Sequence, residues 1–441
     1  MSGVSKIAAV GFLLFAGAEI VLYGCLTQYE QPATELPAQI FFPDVHVMIF
    51  IGFGFLMSFL SKAGFTATGH AFFVAAYTVL WGILNRAFWK RAVLPSQPWV
   101  SAQLNVADLT NGDFVAGAVL ISFGAVLGRV SLTQLTLMAI IEVVCYAMNE
   151  ASILYGLQIT DSGGTYFIHM FGAYFGLVAS AVLEKMSPRR AEIPTNASTP
   201  ITDTLSMVGT LFLFIYFPSW NAAAYASTLS HNRAMVNTFL SIVMSTISAF
   251  LTSILLDKNG KINMAEVQRA TLSGGVAMGA AAGMVINPHG ALVTGLIAGI
   301  VSVVGFRLIT PVLNAVVPDT CGVHNLHGLP SIIGAIVSAI ALGSARIGSY
   351  QGTYTDVVHN TGTSYERTGG YQIVAIGVTL GFAIVGGVIA GVVMGLVGTL
   401  PTYYDDEHEY NVVGAEGHHA IENAEGKELK EVTTGHNEPA Q

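Results

Sequence analysis

Asp161-Ser162-Gly163-Gly164-Thr165-Tyr166-Phe167-Ile168-His169 and Asp319-Thr320-Cys321-Gly322-Val323-His324-Asn325-Leu326-His327 share the pattern Asp-x-x-Gly-x-x-x-x-His. Each copy reaches a further glycine seven residues on, at Gly176 and Gly334. Both copies run into apolar stretches. An ionisable side chain inside an apolar span is costly and marks a functional site by default. Two of them in matching places point to one site built from two halves.

The surrounding chain is that of an integral membrane protein. Of its 441 residues 53% are hydrophobic and only 10% charged, with a mean hydropathy of +0.61, where soluble domains carry about 25% charged residues. Apolar stretches long enough to cross a bilayer fall near 7–26, 45–61, 67–89, 113–128, 133–151, 164–183, 203–220, 234–256, 266–287, 290–313, 321–342 and 371–399. These twelve spans lack the short alternating segments of a membrane barrel and read as helices. The 113–128 span is the shortest.

With the N-terminus in the cytoplasm, twelve of the 18 Lys and Arg fall inside and six outside. That fits the positive-inside rule, with Lys90 and Arg91 on the contrary side. Both termini are therefore expected in the cytoplasm. Lys6, the first apolar run and Ala16-Gly17-Ala18 also resemble a cleavable leader, but apolar character continues to Leu26. Glu19 inside this span reads as a packing residue. Cys25, Cys145 and Cys321 form neither a disulfide framework nor a metal spacing, and the sequon Asn196-Ala197-Ser198 falls in a cytoplasmic loop. From 402 to 441 the chain holds ten acidic and two basic residues. It reads as a disordered acidic tail whose His408, His418, His419 and His436 are solvated rather than metal-binding. Residues 1–401 then form one transmembrane domain.

His169 and His327 lie five crossings apart, so the second copy is upside down relative to the first. The expected plan is an extra first helix, two five-helix halves of opposite orientation, and a long last helix, as in transporters with inverted repeats. Asp161 and Asp319 would each start a helix at opposite surfaces, since aspartate caps orphan N–H groups. A rise of about 1.5 Å per residue then puts each histidine roughly 12 Å deep. In a core about 30 Å thick the two imidazoles can meet. Glycine is frequent, 48 in all. Gly275, Gly279 and Gly283, then Gly377 and Gly381, then Gly387, Gly391 and Gly395 step by four, a spacing that suits close helix approach.

A neutral imidazole offers one donor and one acceptor. A hydrogen-bonded pair turns its remaining edges to a small neutral molecule that both donates and accepts, and can relay protons. A lone histidine in an apolar helix is ordinarily a satisfied core residue; matched copies weaken that reading. No further ligands recur at this depth to complete a metal site. A bis-histidine haem would need a roomy cleft. No cofactor, nucleic acid or enzymatic activity is expected.

Asp161 to Gly176, Asp319 to Gly328, and Asp44-Val45-His46-Val47-Met48 resemble the Rhesus glycoprotein family, within the ammonium transporter superfamily. The likeness runs from about residue 40 to about 400. It implies eleven helices plus an extra first one, a homotrimer in membrane lipid, and an ammonia pore in each subunit. It implies further that His169 and His327 are the twin pore histidines and Asp161 and Asp319 their accompanying aspartates. Phe114 matches one of two stacked phenylalanines of the outer gate, and Trp220 stands where the second is usual. Glu150 resembles a vestibule carboxylate that attracts ammonium ion. Leu177 replaces a tryptophan of the bacterial-type transporters, which favours the Rhesus branch. Glu142 in the fifth span is left unexplained. The readings set against an ammonia channel are a carbon dioxide pore and a membrane sensor with an occluded pore.

Overall fold

A glycine and an aspartate begin both copies of the repeat in the same way. Gly164 and Gly322 take left-handed backbone, with φ of +72° and +68°, which glycine adopts without steric cost. The chain then turns so that the aspartate caps the helix that follows. Asp161 Oδ2 accepts the N–H groups of Tyr166 (2.7 Å) and Phe167 (3.3 Å). Asp319 accepts those of Val323 (2.9 Å) and His324 (3.0 Å). Both histidines sit in a widened π turn, Thr165–Met170 and His324–Gly328. Such turns are rare and gather at functional sites.

A computed structural model describes residues 6–29, 36–94, 102–186, 198–358, 365–398 and 403–412. The helices are α1 (Lys6–Leu26), α2 (Ile40–Leu56), α3 (Thr66–Val93), α4 (Val106–Val126), α5 (Leu132–Gly156) and α6 (Thr165–Met186). After them come α7 (Pro200–Ala222) and α8 (Thr228–Leu256), then the short α9 (Met264–Ala270) and α10 (Ser273–Met278). The last are α11 (Asn287–Leu313), α12 (His324–Gly343) and α13 (Thr368–Val397). Taking α9 and α10 as one crossing gives twelve. The halves are α2 to α6 and α7 to α12, flanked by α1 and α13. Two three-residue strands, Thr27–Tyr29 and Ala102–Leu104, pair in parallel. Asn196 and Ala197 of the sequon and residues 413–441 lie outside the described residues.

Three boundaries differ from the sequence reading. The short span at 113–128 is the end of a full-length helix, α4, which starts at an Asn105–Asp108 capping box. Its polar first turns, with Thr110 and Asp113 buried, hide it from a hydropathy count. The span at 266–287 is not one helix. It parts first at 271–272, where Ser245 Oγ donates to Ala270 O (2.9 Å). It leaves α geometry again after Met278, where backbone comes close to backbone and neighbours take up the freed groups, as burial in a membrane requires. Gly163 N–H donates to Gly279 O (3.1 Å). Thr165 Oγ1 donates to Val276 O (2.9 Å) and accepts from Ala280 N (2.8 Å). Asn221 Nδ2 donates to Gly275 O (3.1 Å).

The third boundary is that of the tail, where the expectation of disorder from 402 is corrected for residues 403–412. Asp406 accepts the N–H groups of Thr66 (2.6 Å) and Phe65 (2.9 Å) at the start of α3. Glu409 accepts that of Leu132 (3.0 Å) at the start of α5 and lies 2.8 Å from His70 Nε2. Carboxylates are stabilising at helix N-termini. The acidity that reads as solvation in one dimension is here spent on caps.

The glycine steps also divide. A Cβ on Gly275, Gly387 or Gly391 would meet Phe217, the Phe175 carbonyl or Val182 at 2.6–2.7 Å. Gly377 and Gly381 have nothing within 4 Å and mediate no contact within the described chain.

Glu142, unexplained by sequence, ties three helices together. The Ser122 hydroxyl of α4 lies 2.5 Å from Glu142 Oε1 of α5 and 2.7 Å from the Gly172 carbonyl of α6. One hydroxyl has one proton, so a protonated Glu142 Oε1 donating to Ser122, which donates to Gly172, supplies a proton to both contacts. Glutamine can donate in the same way. Glu142→Gln is expected to melt within a few degrees of wild type, and Glu142→Ala to lose about 1–3 kcal/mol through the unsatisfied partners. A glutamine variant as unstable as the alanine one would refute the donor assignment; thermal unfolding in detergent decides it.

Candidate functional site

The site begins in a cavity of about 460 Å³ lined by Arg86, Phe114, Glu150, Asp161, Tyr225 and Asp356 among others. Its floor is aromatic. Phe114 of α4 and Trp220 of α7 pack with ring centroids 4.6 Å apart. Trp220 is buried, not in an interfacial belt, and its Nε1–H donates to Gly163 O at 3.1 Å. The N–H that distinguishes tryptophan from phenylalanine is thus fixed on the loop of the first repeat copy. Gly117, on the α4 turn below Phe114, leaves room for the indole, since a Cβ there would come within 2.8 Å of Trp220.

Below the aromatic pair lies an apolar void of about 10 Å³ bounded by Met48, Phe217, Trp220, Leu272 and both repeat histidines. Beyond the histidines comes a second void of about 20 Å³, bounded by Phe53, Leu120, Cys321, Val323, His327 and Arg269 among others. A water molecule needs about 10–15 Å³ measured in this way, so each void admits one molecule of that size. The passage is narrow, and its lining is apolar except at the imidazoles and, along the second void, at Arg269.

His169 Nδ1 and His327 Nδ1 are 3.1 Å apart, with nearly parallel rings whose centroids lie 5.2 Å apart. This contact fixes the tautomers as a pair. One Nδ1 carries the proton and the other accepts it, so the two Nε2 atoms are one acceptor and one donor. His169 Nε2 has no partner among the described residues. The pair is completed by close helix crossings at the second glycine of each copy. Gly176 lies against the Ser122 backbone and Gly334 against the Ala277 carbonyl, where an added Cβ would come within 2.6 Å of either.

The remaining residues singled out from sequence fall into place around this axis. Asp161 and Asp319 cap the π turns and do not touch the imidazoles. Glu150 lines the cavity, but Arg86 grips it with both arms, Nε to Oε2 at 2.6 Å and Nη2 to Oε1 at 2.9 Å. Its charge is therefore matched. Sequence reasoning missed Arg86 and Asp356. Burial pushes the Asp356 carboxyl up, but hydrogen bonds from Ser230, Ala226 and Ser227 outweigh this and hold it below the usual carboxylate range. Asp356 is therefore ionised at neutral pH. Nothing in the local sequence Tyr354-Thr355-Asp356 separates it from any loop aspartate.

Fold and site define a polytopic helical channel with an inverted repeat and paired histidines on its axis. The family model described as the Ammonium Transporter Family matches residues 7–416. The chain is 39% identical to the ammonium transporter Rh type B of Danio rerio, over 94% of this chain and 93% of that one. It is 41% identical to the Rh type C protein of Xenopus laevis, over 83% and 77%. Among solved structures it resembles Nitrosomonas europaea Rh50, described with the mechanism of conduction by the Rhesus family of channels, at 32% identity and a TM-score of 0.73, covering 90% and 98%. Saccharomyces cerevisiae Mep2, at 18% identity, 80% and 83% coverage and a TM-score of 0.60, shares the fold. This chain belongs to the ammonium transporter family, in its Rh-type branch.

Proposed function

We propose that this chain is an ammonia channel that works as a homotrimer in the plasma membrane, with both termini in the cytoplasm. Ammonium ion collects in the 460 Å³ vestibule, gives up a proton to vestibule water above the Phe114–Trp220 gate, and crosses as neutral ammonia past His169 and His327. Beyond the second void it is protonated again. The observation that carries this reading is the Nδ1–Nδ1 contact of 3.1 Å at the end of the apolar void beneath the gate. Such a wall offers one donor and one acceptor to ammonia, which has both. An ion entering the same passage loses its hydration without replacement. The pairing of Asp161 and Asp319 with backbone N–H groups supports their role as positioners of the two π turns.

Stopped-flow pH recording in proteoliposomes tests the reading. Wild type is expected to speed alkalinisation by an ammonium gradient well above protein-free vesicles. Faster acidification by carbon dioxide with no effect on ammonia would replace the ammonia channel by a gas pore. No effect on either, with the protein folded, would favour an occluded sensor.

The vestibule makes its own prediction. Glu150→Gln leaves the Arg86 cation unmatched at the mouth, and the half-saturating ammonium concentration is expected to rise about tenfold. The double variant Arg86→Gln, Glu150→Gln is expected to return close to wild type. A double variant as impaired as the single one would mean that Glu150 binds ammonium itself.

A further inference from the structure

Along the second void, beyond His327, Arg269 is the one side chain of fixed charge among the described lining residues. It sits on α9, on the near side of the break before α10, and is 9% exposed. Its guanidinium lies 4.1 Å from the ring centroid of Phe59 and 5.7 Å from that of Phe306. The carboxylate three residues before it, Glu266, is taken by Arg307 at 2.5 Å. Asp319 spends its oxygens on the N–H groups of Val323 and His324. Among the described residues no carboxylate oxygen comes within 4.0 Å of Arg269 in an ion pair. Guanidinium does not deprotonate in proteins, so a full positive charge stands at the inner mouth of the passage, stacked on aromatic rings, with Asp319, Asp203 and Glu266 in electrostatic reach but none of them in an ion pair with it.

A buried cation without an ion partner is expensive, and stacking on Phe59 and Phe306 recovers only part of that. A clamp between these two rings does not require the group to border the passage. A fixed positive charge beside a low-dielectric lane does one further thing: it raises the energy of any cation there and leaves a neutral molecule almost unaffected.

We infer that Arg269 is a charge filter at the inner mouth, a specificity-determining residue that excludes ammonium and inorganic cations from the lane and keeps reprotonation of ammonia outside it. The inference rests on the ammonia-channel reading. It extends that reading by naming what stops the ion on the side away from the aromatic gate.

The test compares, in the reconstituted full chain, ammonia flux by stopped flow with ammonium-evoked current, as charge moved per ammonia. Arg269→Gln and Arg269→Met are expected to keep ammonia flux within about twofold while this ratio rises about tenfold or more. Arg269→Lys keeps the charge and is expected to keep the wild-type ratio. Cys321→Asp, on the same crevice, neutralises the guanidinium without removing it and is expected to raise the ratio in the same way. That variant decides the matter if the arginine substitutions fail to fold. Phe59→Leu removes the stack but not the charge and is expected to leave the ratio unchanged. Normal ammonia flux with an unchanged ratio in the charge-removing variants overturns the filter alone. A raised ratio in Phe59→Leu overturns it in favour of a clamp. Absence of ammonia flux in wild type sinks the channel reading instead, so the two failures are distinguishable.

Discussion

His169→Leu is expected to lower ammonia flux per folded protein by at least about tenfold. Leucine fills a similar volume, so the passage keeps its walls but loses the polar edges that meet ammonia. It also leaves His327 Nδ1, now 3.1 Å from its partner, buried and unsatisfied. An orphaned buried polar group costs about 1–3 kcal/mol, and each 1.4 kcal/mol is about a factor of ten. The inverted repeat makes the prediction symmetrical, so His327→Leu is expected to fall by a similar factor. Stopped-flow alkalinisation, normalised to monodisperse protein in the membrane, measures it. Flux within twofold of wild type in both variants would demote the imidazoles to packing.

Gly176→Val and Gly334→Val are expected to abolish monodisperse protein, seen as loss of the folded peak in size-exclusion chromatography. A Cβ at Gly176 comes within 2.6 Å of Ser122 Cα, and one at Gly334 within 2.6 Å of the Ala277 carbonyl oxygen. Both obstacles are backbone, so no side chain can rotate away. Overpacking usually costs about 1–3 kcal/mol and more where the backbone must move. Here it must move α6 away from α4, or α12 away from α10, and with it the helix that carries one of the histidines. Gly377→Val, at a position with nothing within 4 Å, is the control expected to fold. Equal behaviour of all three would show that the crossings tolerate separation.

The two aspartates, two glycines and two histidines of the repeat were legible in sequence because their roles are local. A cap, a left-handed turn and a histidine five residues past that turn are fixed by spacing along one segment of chain. Spans were legible for the same reason, apolar length being a one-dimensional property. The expected spans at 113–128 and 266–287 went astray where local polarity or backbone proximity mattered more than hydropathy. Asn105 and Asp108 start α4 before its apolar run, and α9 and α10 part where neighbouring side chains take over backbone hydrogen bonds. Glu150 shows the same boundary in the site. Its reading as a vestibule carboxylate came from the family resemblance, whereas Arg86, which neutralises it, lies on another helix.

By itself, the sequence determined a membrane-spanning helical chain of two opposed halves with one histidine from each. Length, apolar content and an odd number of crossings suffice for that. Only the tertiary structure decided that the imidazoles share a proton, that Trp220 is pinned to Gly163, and that the acidic start of the tail caps two helices. It alone placed Arg269 on the second void with no ion pair among the described residues. Each of these depends on which groups meet across helices far apart in the chain. In a low-dielectric interior, that meeting decides whether a charge is matched, a donor satisfied or a passage left open.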